Sequence, residues 1–297
     1  MNNTDSILLP IALGIIMFGI GLNLRFSNFK SVFVAPKAVL FGLFGQLILL
    51  PAIGFVIAWM YPMDAAYKLG LVLIAACPGG TASNLVTFML KGRVELSVAL
   101  TAFNSLLILI SIPLILSGAS EFFLEESKWV KVEFGRIFTE VLFTVILPVV
   151  TGMAINSRFH AITDKIRKPL RYILPAILLG VFAFVLFGSD GDGFGQLLEN
   201  WKLLIPTVAL NVLTMITGFK LSGMIGIRHR GSYTIAIEMG LQNSALAIFL
   251  ANSVLQLKEA ALIAVLYGSF SFFLTLGIAY FMQRRGEKEF SFLDLVD

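Results

Sequence analysis

Nine apolar stretches, each near the length of a membrane-crossing helix, take up most of this 297-residue chain. A bilayer core accepts about 20 apolar residues per helix. On that ruler the stretches fall at about 7–24, 35–60, 66–90, 94–117, 137–157, 172–189, 203–224, 231–256 and 260–283. The chain is 58% hydrophobic and 13% charged, with mean hydropathy +0.90, whereas soluble domains carry about 25% charge. Twenty-six Gly and ten Pro would interrupt soluble helices, but inside a membrane neighbouring helices and ordered water satisfy the freed backbone groups. The expected fold class is all-α, a polytopic membrane protein with nine transmembrane helices. Pro51 falls within 35–60 and could kink or divide it; two spans would need about 40 residues, so one long helix is expected there.

Charge sets the orientation. Sorted by alternate loops, 16 of the 22 basic residues lie on one side, among them Arg25, Lys37, Arg93, Arg167 and Arg230. Acids gather on the other side, at Asp64, Glu121, Glu125, Glu126, Glu133, Asp190, Asp192 and Glu199. The positive-inside rule then predicts an external N-terminus and a cytoplasmic C-terminus in the cell membrane. The net charge of +4 is thus spent on topology and lipid headgroups, and no nucleic-acid partner is expected. The first span lacks a basic n-region and reads as retained rather than cleaved. The external segment 118–136, with Glu125, Glu126 and Trp129, reads equally as a loop or a short interfacial helix.

Nine spans contain a hidden symmetry. Spans 1–4 and 6–9 are four-helix units separated by one extra helix, so they run with opposite polarity. The expected organisation is one transporter domain: repeat one at about 7–117, a linking helix at about 137–157, repeat two at about 172–283, and a tail at 284–297. Secondary transporters built from inverted repeats place their sites on interrupted helices in matching positions. The third member of each unit carries such an interruption. One reads Cys77-Pro78-Gly79-Gly80-Thr81-Ala82-Ser83-Asn84, where Pro and paired Gly break the helical ladder. The other reads Glu238-Met239-Gly240-Leu241-Gln242-Asn243-Ser244.

Helical rise puts several polar residues at one depth. Glu238 lies eight positions from Arg230, about 12 Å at 1.5 Å per residue. Asn84 lies seven from Lys91, Thr101 eight from Arg93, and Gln46 nine from Lys37. Ser97 and Thr101, spaced i, i+4, share a helix face. Glu238 is the one carboxylate well inside a predicted span. A charge there costs at least about 2.5–3.5 kcal/mol and usually marks an ion or substrate path. No Lys or Arg shares its depth, so its counter-charge is a proton or a bound cation, and the surrounding oxygens suit a hard cation. The breaks also expose helix N-termini, which attract anions. A protonated Glu bonded within the bundle, and interhelical glue for each amide taken singly, are the structural alternatives.

Other motifs carry less. Gly14, Gly19 and Gly21 on the first span follow no strand, so they read as helix-packing positions rather than a nucleotide fingerprint. Cys77 is a single cysteine, which excludes an intrachain disulfide framework and a Cys-rich metal site, and His160 and His229 sit among basic loop residues, so a buried His-based metal centre is not expected. No nucleophile–base pair appears within the spans, so an enzyme is not expected.

Leu13-Gly14-Ile15-Ile16-Met17-Phe18-Gly19-Ile20-Gly21-Leu22 resembles the first-helix signature of the bile acid:sodium symporter family. Both break motifs resemble that family too, as does Pro36-Lys37-Ala38-Val39 with Gln46 and Pro51. The resemblance runs along essentially the whole chain. It implies a core and a panel domain, two broken helices that cross, and two sodium sites behind a substrate crevice. The first sodium would use Ser83, Asn84, Ser97, Thr101 and Glu238. The second would use Gln46, Glu238 and Gln242, with backbone oxygens of Met239 and Leu241. The substrate would lie at the crossing, near Thr81, Ala82, Asn243 and Ser244.

Two features depart from parts of the family. Ten-helix members have an additional N-terminal helix, whereas this chain begins directly with the signature helix, as some animal members do. Some bile-acid-binding members carry Trp-His-Asn where this chain has Tyr267-Gly268-Ser269. The expected activity is therefore sodium-coupled import of a small organic anion, whether a bile acid, pantoate or another organic acid. Proton coupling or efflux by a related carrier is the rival expectation.

Overall fold

The computed structural model of the chain describes residues 5–30, 35–124, 134–187 and 193–293. The helices are α1 (Asp5–Asn23), α2 (Pro36–Met60), α3 (Ala65–Ala76), α4 (Thr81–Met89), α5 (Val94–Phe123) and α6 (Phe134–Arg158). They continue as α7 (His160–Phe187), α8 (Gly193–Glu199), α9 (Trp201–Met224), α10 (His229–Gly240), α11 (Ser244–Phe249) and α12 (Lys258–Leu293). No strand occurs among the described residues. Glu125, Glu126 and Trp129, expected in a loop or short helix, lie outside them.

Length and apolarity make this a multi-pass membrane protein. Six segments qualify as spans: α2, α5, α6, α9, His229–Leu255 and Lys258–Arg284. Two bent pairs raise the number to eight, α3 with α4 at 59° and Thr163–Leu170 with Tyr172–Phe187 at 41°. The expected first span coincides with α1, whose apolar part, Leu8–Asn23, is shorter than 18 residues. Burial follows polarity. His229–Leu255 has the lowest hydropathy of the six and 94% of its apolar window is buried, against 33% for the more apolar α2. A helix too polar for lipid is stable only at the centre of the bundle, shielded by its neighbours.

Pro51 does not divide α2. Proline has no N–H, and its ring crowds the carbonyl four residues back. The helix answers by widening into a π turn over Gly45–Leu49, where Leu50 N–H reaches back five residues to Gly45 O. The same solution recurs ahead of Pro148 in α6, with a π turn over Leu142–Ile146 and Leu147 N–H on Leu142 O. Such turns often mark functional positions, and Gln46 sits inside the first of them.

The expectation of close packing through first-span glycines holds at two positions of three. A Cβ on Gly21 would strike the Val149 backbone, and one on Gly152 would strike the backbone of Phe18 and Leu22. These two glycines let α1 and α6 cross at near backbone contact. Gly19 leaves room for Leu174 of α7, while Gly14 faces open space. Thus α1 packs mainly on α6 and α7. The remaining helices surround α3, α10 and α11, whose residues supply much of the buried core.

Candidate functional site

Both expected interruptions are present. α3 ends at Ala76, Cys77 and Gly80 are extended, and α4 begins at Thr81. α10 ends at Gly240, Leu241 is extended, and α11 begins at Ser244. The breaks touch each other, because Asn243 N–H donates to Pro78 O at 3.0 Å. Gly79 lies where the approach is closest. A Cβ there would stand 2.8 Å from Leu241 O, 3.2 Å from Ser83 Oγ and 3.3 Å from Glu238 Oε2.

Glu238, in the last turn of α10, is fully buried. Ser97 Oγ approaches its Oε1 at 2.5 Å, and Gln46 Nε2 lies 3.4 Å from Oε2 and 3.0 Å from the Glu238 carbonyl. Ser97 Oγ also lies 2.7 Å from Asn84 Oδ1. A hydroxyl carries one proton and cannot donate to both oxygens. With the Asn84 amide oxygen turned inward, three oxygens share that proton. Such a group is favourable when a cation or an acidic proton lies against it. Among the described residues no basic side chain bonds to the Glu238 carboxylate.

The expected site residues fall into three positions. Gln46, Ser83, Asn84, Ser97, Leu241 and Glu238 gather around the crossing. Met239 O and Gln242 adjoin them, joined by a bond from Gln242 Nε2 to Met239 O at 2.9 Å. Thr101 stands one turn beyond Ser97, and its hydroxyl donates to the Ser97 carbonyl at 3.1 Å rather than to Glu238. Thr81 is half-buried and Ala82 exposed at the start of α4. Asn243 is half-buried and caps α11 by accepting from Leu246 N–H at 3.1 Å. Ser244 Oγ is buried without a hydrogen-bond partner among the described residues.

Five further polar residues join the site, of which only Tyr267 had stood out in the sequence, and there for another reason. Asn104 donates to Gln46 Oε1 from α5. Asn211 and Thr214 of α9, with Tyr267 and Thr275 of α12, bond to the carbonyls of the second break. A signal exists for Asn104, because Ser97, Thr101, Asn104 and Ser105 form one i, i+4, i+7, i+8 stripe. Asn211 and Thr214 form an i, i+3 pair in the same way.

Chemically, the crossing is a nest of neutral oxygens around one carboxylate, and His, Cys, Asp and Glu form no cluster of three among the described residues. That is the donor set of a hard monovalent or divalent cation rather than of a transition metal.

Comparison with known proteins agrees. The Sodium Bile acid symporter family matches residues 10–197. The chain is 32% identical over 246 residues to the uncharacterized sodium-dependent transporter YocS of Bacillus subtilis, covering 82% of this chain and 74% of that one. It is 29% identical over 243 residues to the probable sodium/metabolite cotransporter BASS1 of Arabidopsis thaliana, covering 82% of this chain. It spans 58% of that plant protein's own length. Against the human ileal sodium/bile acid cotransporter it is 28% identical over 246 residues, covering 81% of this chain and 68% of the relative. The relatives are transporters and not enzymes, and the chain belongs to the sodium bile acid symporter family.

Proposed function

We propose that the chain is a sodium-coupled symporter that imports a small organic anion by alternating access. In this reading it crosses the membrane nine times, as two inverted four-helix repeats joined by α6, with the N-terminus outside. The panel comprises α1, α6 and α7, and the core comprises the remaining spans. One Na⁺ is held by Ser83, Asn84, Ser97, Thr101 and Glu238. A second is held by Gln46, Glu238 and Gln242 with the carbonyls of Met239 and Leu241. The anion lies beside them, near Thr81, Ala82, Asn243 and Ser244.

The observation that carries this reading is the buried Glu238 carboxylate, which faces oxygens and amides and bonds to no basic side chain among the described residues. Its charge needs a mobile counter-ion, and sodium is the ion named in the relatives. Two Na⁺ would offset Glu238 and one substrate carboxylate, leaving a neutral loaded site. The names of the relatives include bile acids and metabolites, which supports an organic anion as cargo.

The test is a melting-temperature screen of taurocholate, pantoate and pyruvate on the purified protein, in NaCl and in KCl. A substrate raises the melting temperature by mass action, and more in Na⁺. The best ligand then serves as the probe for uptake into proteoliposomes. Glu238→Ala is expected to abolish sodium-driven uptake, and retained uptake would refute the site. Uptake indifferent to Na⁺ but driven by a pH gradient would replace sodium with protons.

A further inference from the structure

The second break frees the carbonyls at the end of α10, and neighbouring helices take up each of them. The last helical bond there runs from Leu241 N–H to Ile237 O at 3.1 Å. Beyond it, Asn243 N–H turns away to Pro78 O and Ser244 N–H to Gln242 O. Three carbonyls are left without helical donors, and buried carbonyls are costly to leave unpaired. Gln46 Nε2 takes the Glu238 carbonyl at 3.0 Å. Thr214 Oγ1 and Gln242 Nε2 take the Met239 carbonyl at 3.0 and 2.9 Å.

Gly240 O receives more donors than it has lone pairs. Asn211 Nδ2 lies at 2.6 Å, Tyr267 OH at 2.8 Å and Thr275 Oγ1 at 3.2 Å. The donors also bond to each other, with Asn211 Nδ2 3.0 Å from Thr275 Oγ1 and 3.3 Å from Tyr267 OH. All three residues are fully buried and come from two helices, α9 and α12. Burial at this depth, in a network this dense, strongly resists rotation of the peptide it holds.

The orientation of that peptide sets the direction of the next carbonyl. Leu241 is extended, at φ −115° and ψ 114°. In extended backbone, successive carbonyls point to opposite sides. Holding Gly240 O on the α9–α12 side therefore holds Leu241 O on the other, beside Gly79, whose Cβ position also lies 3.2 Å from Ser83 Oγ and 3.3 Å from Glu238 Oε2. We infer that Asn211, Tyr267 and Thr275 are positioning residues for cation binding: they clamp the Gly240 peptide and so aim the Leu241 carbonyl into the crossing. They need not touch the ion. The inference rests on the sodium reading and assigns these three residues a role in ion affinity.

The test uses Na⁺ itself as the probe. The detergent-purified full chain is melted across a NaCl titration, with KCl holding total salt constant. In the wild type the melting temperature is expected to climb with Na⁺ without a plateau, and the Kd fitted to that climb gives the Na⁺ concentration at the midpoint of site occupancy. Tyr267→Phe and Thr275→Val each remove one donor while keeping the shape. Each is expected to raise the Na⁺ concentration at the midpoint about three- to tenfold, the effect of one lost hydrogen bond. Thr275→Ser keeps the hydroxyl and is expected to titrate like the wild type.

A purely structural role would lower the melting temperature without moving the midpoint. Midpoints unchanged in Tyr267→Phe and Thr275→Val, with the wild type responding to Na⁺, would overturn the clamp and leave the sodium site standing. A wild type that melts alike in Na⁺ and K⁺ would overturn the sodium reading and the clamp together.

Discussion

The two helix breaks meet at one point yet are built differently. The first joins α3 and α4 through Cys77–Gly80 and turns the chain by 59°. The second interrupts His229–Leu255, which still runs as one 27-residue span. The first has Pro78 and two glycines, no side-chain cap on α4, and a second half whose Ala82, Leu85, Phe88 and Met89 are exposed. The second has no proline, a capping Asn243, and donors from α2, α9 and α12 on its loose carbonyls. A break whose lost hydrogen bonds are replaced from around it can stay in line. A break at the edge of the bundle, closed by Pro and Gly, bends away.

The sharpest way to disrupt this pairing is Gly79→Ala. Its Cβ would meet the Leu241 carbonyl at 2.8 Å, and a backbone atom cannot swing aside as a side chain does. The expected cost is at least the overpacking range of about 1–3 kcal/mol, read as a lower melting temperature with a weakened Na⁺ response. A variant as stable as the wild type would mean that the breaks are not in contact.

Capping separates the two breaks next. Asn243→Ala removes the bond to Leu246 N–H and is expected to cost about 1 kcal/mol. Thr81→Ala at the start of α4, where no side chain caps, is expected to stay within about 0.5 kcal/mol. Equal losses in the two melting curves would erase the distinction.

The smallest change belongs to Gly80→Ala. Its backbone is extended, at φ −127° and ψ −154°, and the nearest atom to an added Cβ is Ile20 Cδ1 at 3.8 Å. A shift within about 0.5 kcal/mol is expected. Together with Gly79→Ala it shows whether paired glycines act through flexibility or through one close contact. Flexibility predicts comparable losses at both positions.

Much of the candidate site is legible in the sequence because polar groups stand out in apolar helices. Gln46, Asn84 and Glu238 are found by depth alone, since each lies seven to nine residues from a basic edge, and Ser97 by sharing a helix face with Thr101. Thr101 passes the same depth test, yet its hydroxyl donates to Ser97 O one turn away. Depth places a residue at a level but does not set its rotamer. Asn211 and Thr275 escape notice, and Tyr267 is noticed only as a departure from bile-acid-binding members, for the opposite reason. Taken singly, each looks like ordinary interhelical glue, and their shared target, the Gly240 carbonyl, has no side chain to advertise it. Pro51 is recognisable as a disturbance, but the π turn that absorbs it depends on how α2 packs.

Local chemistry settled which stretches are apolar enough to cross lipid, where Pro and Gly interrupt them, and how deep the lone carboxylate lies. Those properties depend on composition and on a fixed rise per residue, so the sequence alone determines them. Tertiary structure decided what meets what. Gln46 reaches Glu238 across 192 positions and Ser97 reaches it across 141, and no local rule pairs residues so far apart. It also decided that one break turns the chain by 59° while the other leaves a single span, because the missing hydrogen bonds of a broken helix are supplied by whichever helices pack around it.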